Sequence, residues 1–186
     1  MRDSKAAFLA VWMVLGLMLA AVPGQAARAA SAAEIDIEVN AALERFRDEV
    51  PGGGAFLRRA EGVLVFPKVI KAGVGIGGEY GEGALRVDGR TVAYYSTAGA
   101  SIGFQLGAQA KTVVVVFLEP EALQDFRDSK GWKAGVDGSV AIAKWGVGED
   151  INTVDFKDPI VGFVFGNKGL MYNLTIEGAK FTRIER

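Results

Sequence analysis

The sequence contains no cysteine and no histidine among its 186 residues. Without cysteine the chain can form no disulfide bond, no thiol nucleophile and no iron–sulfur cluster. Without histidine it lacks the side chain that most often acts as a general base or as a metal ligand. These absences remove the usual means of catalysis and of metal binding. We therefore expect that the protein is not an enzyme and has no catalytic residues, no cofactor and no metal site.

An excess of charge of one sign is also missing. The chain has 21 basic and 22 acidic residues, which gives a net charge of −1 at pH 7. General nucleic-acid binding depends on a strong positive potential. We therefore expect no nucleic acid among the partners.

A long apolar run occupies residues 6–22. Two basic residues precede it, Pro23 breaks it, and small residues follow. This order is typical of a secretory signal peptide, and the run is slightly short for a membrane span. We predict that residues 1–29 form a cleaved signal peptide, with an uncleaved membrane anchor as the alternative.

The cleavage site itself stays open, because the small residues fit cleavage after Ala26 and also after Ala29. In either case we predict that residues 30–186 form a single domain that is periplasmic or secreted.

Glycine, in contrast, is abundant, with 25 residues that lie almost entirely after residue 50. Residues 99–110 alternate between two sets. One set is Gly99, Ser101, Gly103, Gln105, Gly107 and Gln109, and the other is Ala100, Ile102, Phe104, Leu106, Ala108 and Ala110. Because successive side chains of a strand point to opposite faces, a strand here has one apolar face and one nearly bare face. A bare face allows another backbone or a ligand to come close.

A second glycine-rich segment, residues 72–78, invites comparison with dinucleotide-binding loops. Such loops need their glycines at a turn from a strand into a helix, where the helix N-terminus meets the phosphates. Here the strand pattern continues to Tyr80 and a hairpin follows. We therefore interpret these glycines as a means of tight sheet packing or curvature.

Helix signals occur at three places. Ser31 and Glu34 can form a capping box, and an apolar stripe follows them. The stripe consists of Ile35, Val39, Leu43, Phe46 and Val50. Glycines at 52–54 end this helix, and a short second helix is predicted at 56–61. A third helix begins at Pro120, since proline is favoured at the first helical position.

Strand signals fill most of the remaining chain. Asp88 and Gly89 are typical of a tight hairpin turn, and the uninterrupted apolar residues 113–117 predict a central strand buried on both faces. Further strands are predicted at 63–66, 69–80, 84–87, 91–96, 136–143, 160–165, 170–176 and 180–184. We predict an α+β fold: a mainly antiparallel, curved sheet or open barrel with the N-terminal and mid-chain helices packed against it.

Four basic residues lie close together in the sequence, among apolar neighbours: Arg58, Arg59, Lys68 and Lys71. Cations beside exposed apolar groups suit an anionic membrane surface, where each contributes about 1 kcal/mol. We predict that these four residues bind lipid. The alternative is an ordinary charged rim over buried apolar residues.

Motifs along most of the chain resemble the SYLF domain family. They lie at residues 60–67, 71–73, 77–78, 94–96, 99–103, 118–126, 169–170 and 177–178. The resemblance covers about residues 34–184 and is greatest to the secreted bacterial branch. It implies a domain without enzymatic activity that binds acidic phospholipid.

The resemblance also bears on particular residues and partners. Lys68 and Lys71 match basic positions near the family's glycine-rich segment, which implies contacts with lipid headgroups. Many members have a proline where this chain has Ala98, so the headgroup preference of eukaryotic members is not carried over. Some fungal members bind actin, but we do not expect actin as a partner of a secreted bacterial protein.

The expected function is therefore the binding of anionic phospholipid at a membrane surface, and two alternatives stay open. One is a small outer-membrane β-barrel, because the alternation at 99–109 has the length of a membrane strand. The helices argue against it, and extraction without detergent tests it. The other is a carrier of a small apolar ligand, which native mass spectrometry would detect.

Overall fold

The computed structural model describes residues 29–143, 158–166, 176 and 178–186, and for 74–76, 101–108 and 143 it describes the backbone alone. The predicted signal peptide and nearly all of the strand predicted at 170–176 lie outside the described residues.

Three helices are described. Helix α1 (Ala32–Glu49) begins at the predicted capping box, in which the backbone N–H of Glu34 donates to Ser31 Oγ at 3.3 Å and the backbone N–H of Ser31 donates to the Glu34 carboxylate at 2.7 Å. The apolar stripe is confirmed, because Ile35, Val39 and Phe46 are buried. Helix α3 (Pro120–Asp128) begins at its proline, as predicted.

Helix α2 (Gly53–Arg59) begins three residues before the predicted start at residue 56. The glycines that we expected only to end α1 also form the first turn of α2. A Cβ atom at Gly53 would overlap the carbonyl oxygen of Phe46, so glycine allows α2 to start directly against the end of α1.

The central element is one long antiparallel hairpin of strands β1 (Gly62–Val87) and β2 (Arg90–Phe117). The predicted turn is confirmed, because Asp88 and Gly89 have φ angles of 51° and 74°. Both values are positive, as this tight turn requires. The strands are longer than predicted. Pro67 does not interrupt β1 but lies at a bulge in its pairing with β2.

The hairpin folds back on itself, so that two parts of β1 touch. A Cβ atom at Gly81 would lie 2.7 Å from the carbonyl oxygen of Lys68, and one at Gly83 would overlap the carbonyl oxygen of Val65. This is the close approach of backbones that glycine-rich strands permit.

Four short strands join the sheet within the described part of the chain: β3 (Trp132–Lys133), β4 (Ala141–Ala143), β5 (Ile160–Phe165) and β6 (Lys180–Ile184). The order is β3-β6-β2-β5-β4, with β1 paired along the other edge of β2. Every pairing between described strands is antiparallel except that of β4 with β5. The sheet curls into a half-barrel, so the predicted α+β fold with a curved, mainly antiparallel sheet is confirmed.

The strand predicted at 136–143 is wrong in its first half. Val136 is 73% exposed and lies in the turn after β3, where its N–H donates to the carbonyl of Lys133. Gly135, with φ of 80°, makes this turn possible.

Apolar clusters cover both faces of the sheet. On one face α1 and α2 pack through Phe46 and Phe56, whose rings lie 4.8 Å and 5.0 Å from that of Phe163. On the other face Phe126 of α3 packs against Trp132 at 5.7 Å. Residues 113–117 alternate between the two clusters and are all buried, which confirms the predicted central strand.

Candidate lipid-binding surface

The two predicted arginines lie at the end of α2, where both are exposed. Arg58 lines a groove of about 520 Å³ beside α1, which we call the Arg58 groove. Its charged residues are the cations Arg47, Arg58 and Arg86 and the acids Glu44, Glu61 and Asp88. Positive and negative charges are equal in number there, so this groove has little overall attraction for an anion.

Lys68 lines a different groove, of about 330 Å³, which we call the Lys68 groove. Its charged residues are the cations Arg45, Lys68 and Lys111 and the acid Glu38. The α1 residues of this groove (38, 41, 42 and 45) and those of the Arg58 groove (40, 43, 44 and 47) lie on opposite flanks of the helix. The structure therefore does not bring Arg58 and Lys68 together.

Arg45 is held in place by two contacts. Its guanidinium donates to Thr112 Oγ1 at 2.7 Å and lies 5.6 Å from the centre of the Phe165 ring. The Thr112 hydroxyl in turn donates to the carbonyl oxygen of Pro67 at 2.8 Å. The positive charge is thus fixed at the wall of the groove, next to the residue that precedes Lys68.

Lys111 is the buried cation of this groove, with 8% of its surface exposed. Its ammonium group lies 2.8 Å from the carboxylate of Glu79, which is itself mostly buried. The carboxylate offsets the charge of Lys111. Arg45 and the exposed Lys68 are therefore the groove cations that face an incoming anion.

Lys71 is half-buried and pairs with Gln109 across the hairpin. Between the two lysines lies Ile70, whose side chain is 44% exposed. Because neighbouring residues of a strand face opposite ways, Ile70 and Lys71 belong to different faces of β1. The predicted combination of cations with an exposed apolar side chain is present at Lys68 and Ile70.

Tyr80 is a second large exposed side chain on β1, with 52% of its surface accessible. Its hydroxyl donates to Glu82 Oε1 at 2.7 Å. Partial burial raises the pKa of the phenol above 10.0, and the hydrogen bond to Glu82 and the charge of that carboxylate act in the same direction. Tyr80 is therefore neutral at physiological pH.

Sequence reasoning missed Arg45 and Lys111. Arg45 lies on the polar face of α1, and nothing local distinguishes it from the neighbouring charged residues. Lys111 carries a weak signal, since a lysine directly before a long buried strand is unusual. The two meet at the Lys68 groove only because the hairpin packs against α1.

The glycines at 72–78 lie within the continuous strand β1, not at a turn into a helix, which agrees with their interpretation as sheet residues. Among the residues that the structure describes, no group of three or more acidic side chains is placed to hold a metal ion. The helices within the described part of the chain are too short or too polar to cross a bilayer.

These features define a class: an α+β domain with a curled sheet and a cationic groove beside exposed apolar side chains. A family model described as Ysc84, Las17-binding protein actin regulator, matches residues 98–185. The match confirms the SYLF resemblance over these residues. SYLF/Ysc84 is a lipid- and actin-binding family whose domains are generally not enzymes. No curated protein matches the chain.

The match includes Lys111 and Thr112, whereas Arg45 and the four predicted lipid-binding residues lie before it. Membership of the secreted bacterial branch stays a prediction.

Proposed function

We propose that this protein binds anionic phospholipid at a membrane surface and catalyses no reaction. The observation that supports the proposal is the Lys68 groove, where three cations and one acid line the walls and Ile70 stands exposed two residues from Lys68. A headgroup phosphate in this groove would meet Arg45 and Lys68. The exposed apolar side chain would meet the region just below the headgroups.

A net charge of −1 does not oppose this function. At physiological ionic strength, interactions between exposed charges fade beyond about 8 Å. A headgroup at the Lys68 groove therefore responds to the cations around it more than to acidic residues elsewhere. Each basic residue near an anionic surface contributes about 1 kcal/mol.

The proposed location is the periplasm or the outside of the cell. The support is the signal-peptide pattern of residues 1–29. Actin stays outside the proposal, because an exported bacterial protein does not encounter it.

Charge reversal combined with vesicle co-sedimentation tests the site. We expect the double variant Arg45→Glu, Lys68→Glu to bind vesicles that contain phosphatidylglycerol less strongly, by about tenfold or more, since the two groove cations that face the headgroup become repulsive. Added salt should weaken wild-type binding in the same assay.

The matched control is Lys130→Glu, Lys133→Glu, which changes the net charge equally at two exposed lysines away from the Lys68 groove. It should bind nearly as the wild type does. Equal losses in both double variants would show that overall charge, and not this site, determines binding.

A further inference from the structure

In the middle of the β1–β2 hairpin, uncharged side chains face outward and charged side chains face inward. The described exposed residues of this middle part are uncharged: Ile70, Ala72, Gly78, Tyr80, Ala98 and Ala100. They lie on one face of the two-stranded ribbon, because Ile70, Ala72, Gly78 and Tyr80 are an even number of residues apart along β1. Gly78 and Tyr80 pair with Ala100 and Ala98 of β2. We call this set the hairpin face.

The residues between them along the strands point the other way and are polar or glycine. Lys111 and Glu79 form their ion pair there, with side chains only 8% and 11% exposed. Lys71 and Gln109 are half-buried partners in the ladder. The Oε1 atom of Gln109 is buried and has no hydrogen-bond partner among the residues that the structure describes.

This distribution of side chains is the opposite of the one expected for a sheet in water. A sheet in water buries its apolar side chains and exposes its charged ones, because transfer of a charge to the interior is costly unless it is paired. Here the charges of Lys111 and Glu79 are inside and paired, whereas the apolar side chains face outward. Sheets that are surrounded by hydrocarbon have this polarity.

We propose that the hairpin face inserts into the outer hydrocarbon region of an anionic bilayer, with Ile70 and Tyr80 as its anchors. The inference rests on the proposed function and specifies how the membrane is held. Lys68, exposed two residues from Ile70, lies at the level of the headgroups. The tyrosine hydroxyl suits the boundary between water and lipid, as interfacial tyrosines do.

The positive charge of Lys68 favours an anionic bilayer over a second copy of the chain as the partner of the hairpin face. The lysine that borders the hairpin face attracts an anionic surface. A second copy docked through the same face would present the same lysine.

The absence of cysteine allows a direct test by site-specific labelling of the full processed protein. Single variants Ile70→Cys and Tyr80→Cys would each carry an environment-sensitive NBD fluorophore. The control variants are Val92→Cys and Val136→Cys, at apolar residues that are 42% and 73% exposed outside the hairpin face. The probe is a vesicle of phosphatidylglycerol and phosphatidylcholine.

We expect a blue shift and an increase in emission at positions 70 and 80, with quenching by nitroxide groups on the acyl chains, and no change at positions 92 and 136. The unlabelled variant Ile70→Asn should bind the vesicles roughly tenfold less tightly, while Val92→Asn should bind unchanged.

The two proposals fail in different ways. If the protein sediments with vesicles but labels at 70 and 80 do not respond, insertion is wrong and surface binding stands. If nothing sediments, the proposed function fails. If those labels respond to protein concentration without vesicles, the hairpin face is an interface between copies and insertion is overturned.

Discussion

Gly83 is the residue on which the folded-back hairpin depends most directly. Its Cα faces the backbone of Val65, and a methyl group there would overlap the Val65 carbonyl oxygen. Because a backbone atom cannot rotate away as a side chain can, the two parts of β1 would have to separate. We predict that Gly83→Ala lowers the free energy of unfolding by about 3 kcal/mol, measured by urea denaturation.

Gly78→Ala is the matched control within the same strand. The nearest atom to a Cβ there is the Gly99 carbonyl oxygen, at an ordinary contact distance of 3.8 Å. We expect a change within about 0.5 kcal/mol. If the two variants were equally stable, the close crossing of β1 on itself would be wrong.

At the scale of elements, α1 carries the clearest local signal in the chain. The reciprocal bonds of Ser31 and Glu34 satisfy backbone groups that would otherwise be free at the start of the helix. We predict that Ser31→Ala costs about 1 kcal/mol of stability in thermal or urea unfolding. The control is Ser139→Ala, at an exposed serine outside the helices, which should cause no measurable loss of stability. Equal losses in the two variants would show that the helix cap is not the cause.

The elements that could be predicted are those whose signals are local. The capping box of α1, the proline that begins α3, the positive φ angles needed at Asp88 and Gly89, and the apolar run of β5 each depend on a few neighbouring residues. The length of β1 could not be read in this way. Its continuation past Pro67 depends on pairing with residues of β2 that are distant in the sequence.

The same distinction applies to the candidate site. Lys68 and Ile70 are two residues apart in the sequence, so their combination could be predicted from it. Arg45 and Thr112 are 67 positions apart and meet only in the folded protein. β3 was missed for a similar reason, since its two residues form a strand only through pairing with β6.

At the scale of the whole molecule, the proposed sites of lipid attraction and of apolar contact lie side by side. The cations of the Lys68 groove and the uncharged hairpin face are neighbours, joined at Lys68 and Ile70. The balanced charges of the Arg58 groove lie on the opposite flank of α1. The membrane-bound orientation should therefore bring the hairpin face and Lys68, and not α2, towards the lipid.

Co-sedimentation of residues 30–186 with vesicles at low ionic strength decides whether the protein binds anionic lipid. Vesicles of phosphatidylcholine alone are compared with vesicles that also contain phosphatidylglycerol. We predict that the protein pellets with the anionic vesicles, stays in the supernatant with the zwitterionic ones, and is released as salt is added. Protein that remains in the supernatant with both compositions would contradict the account.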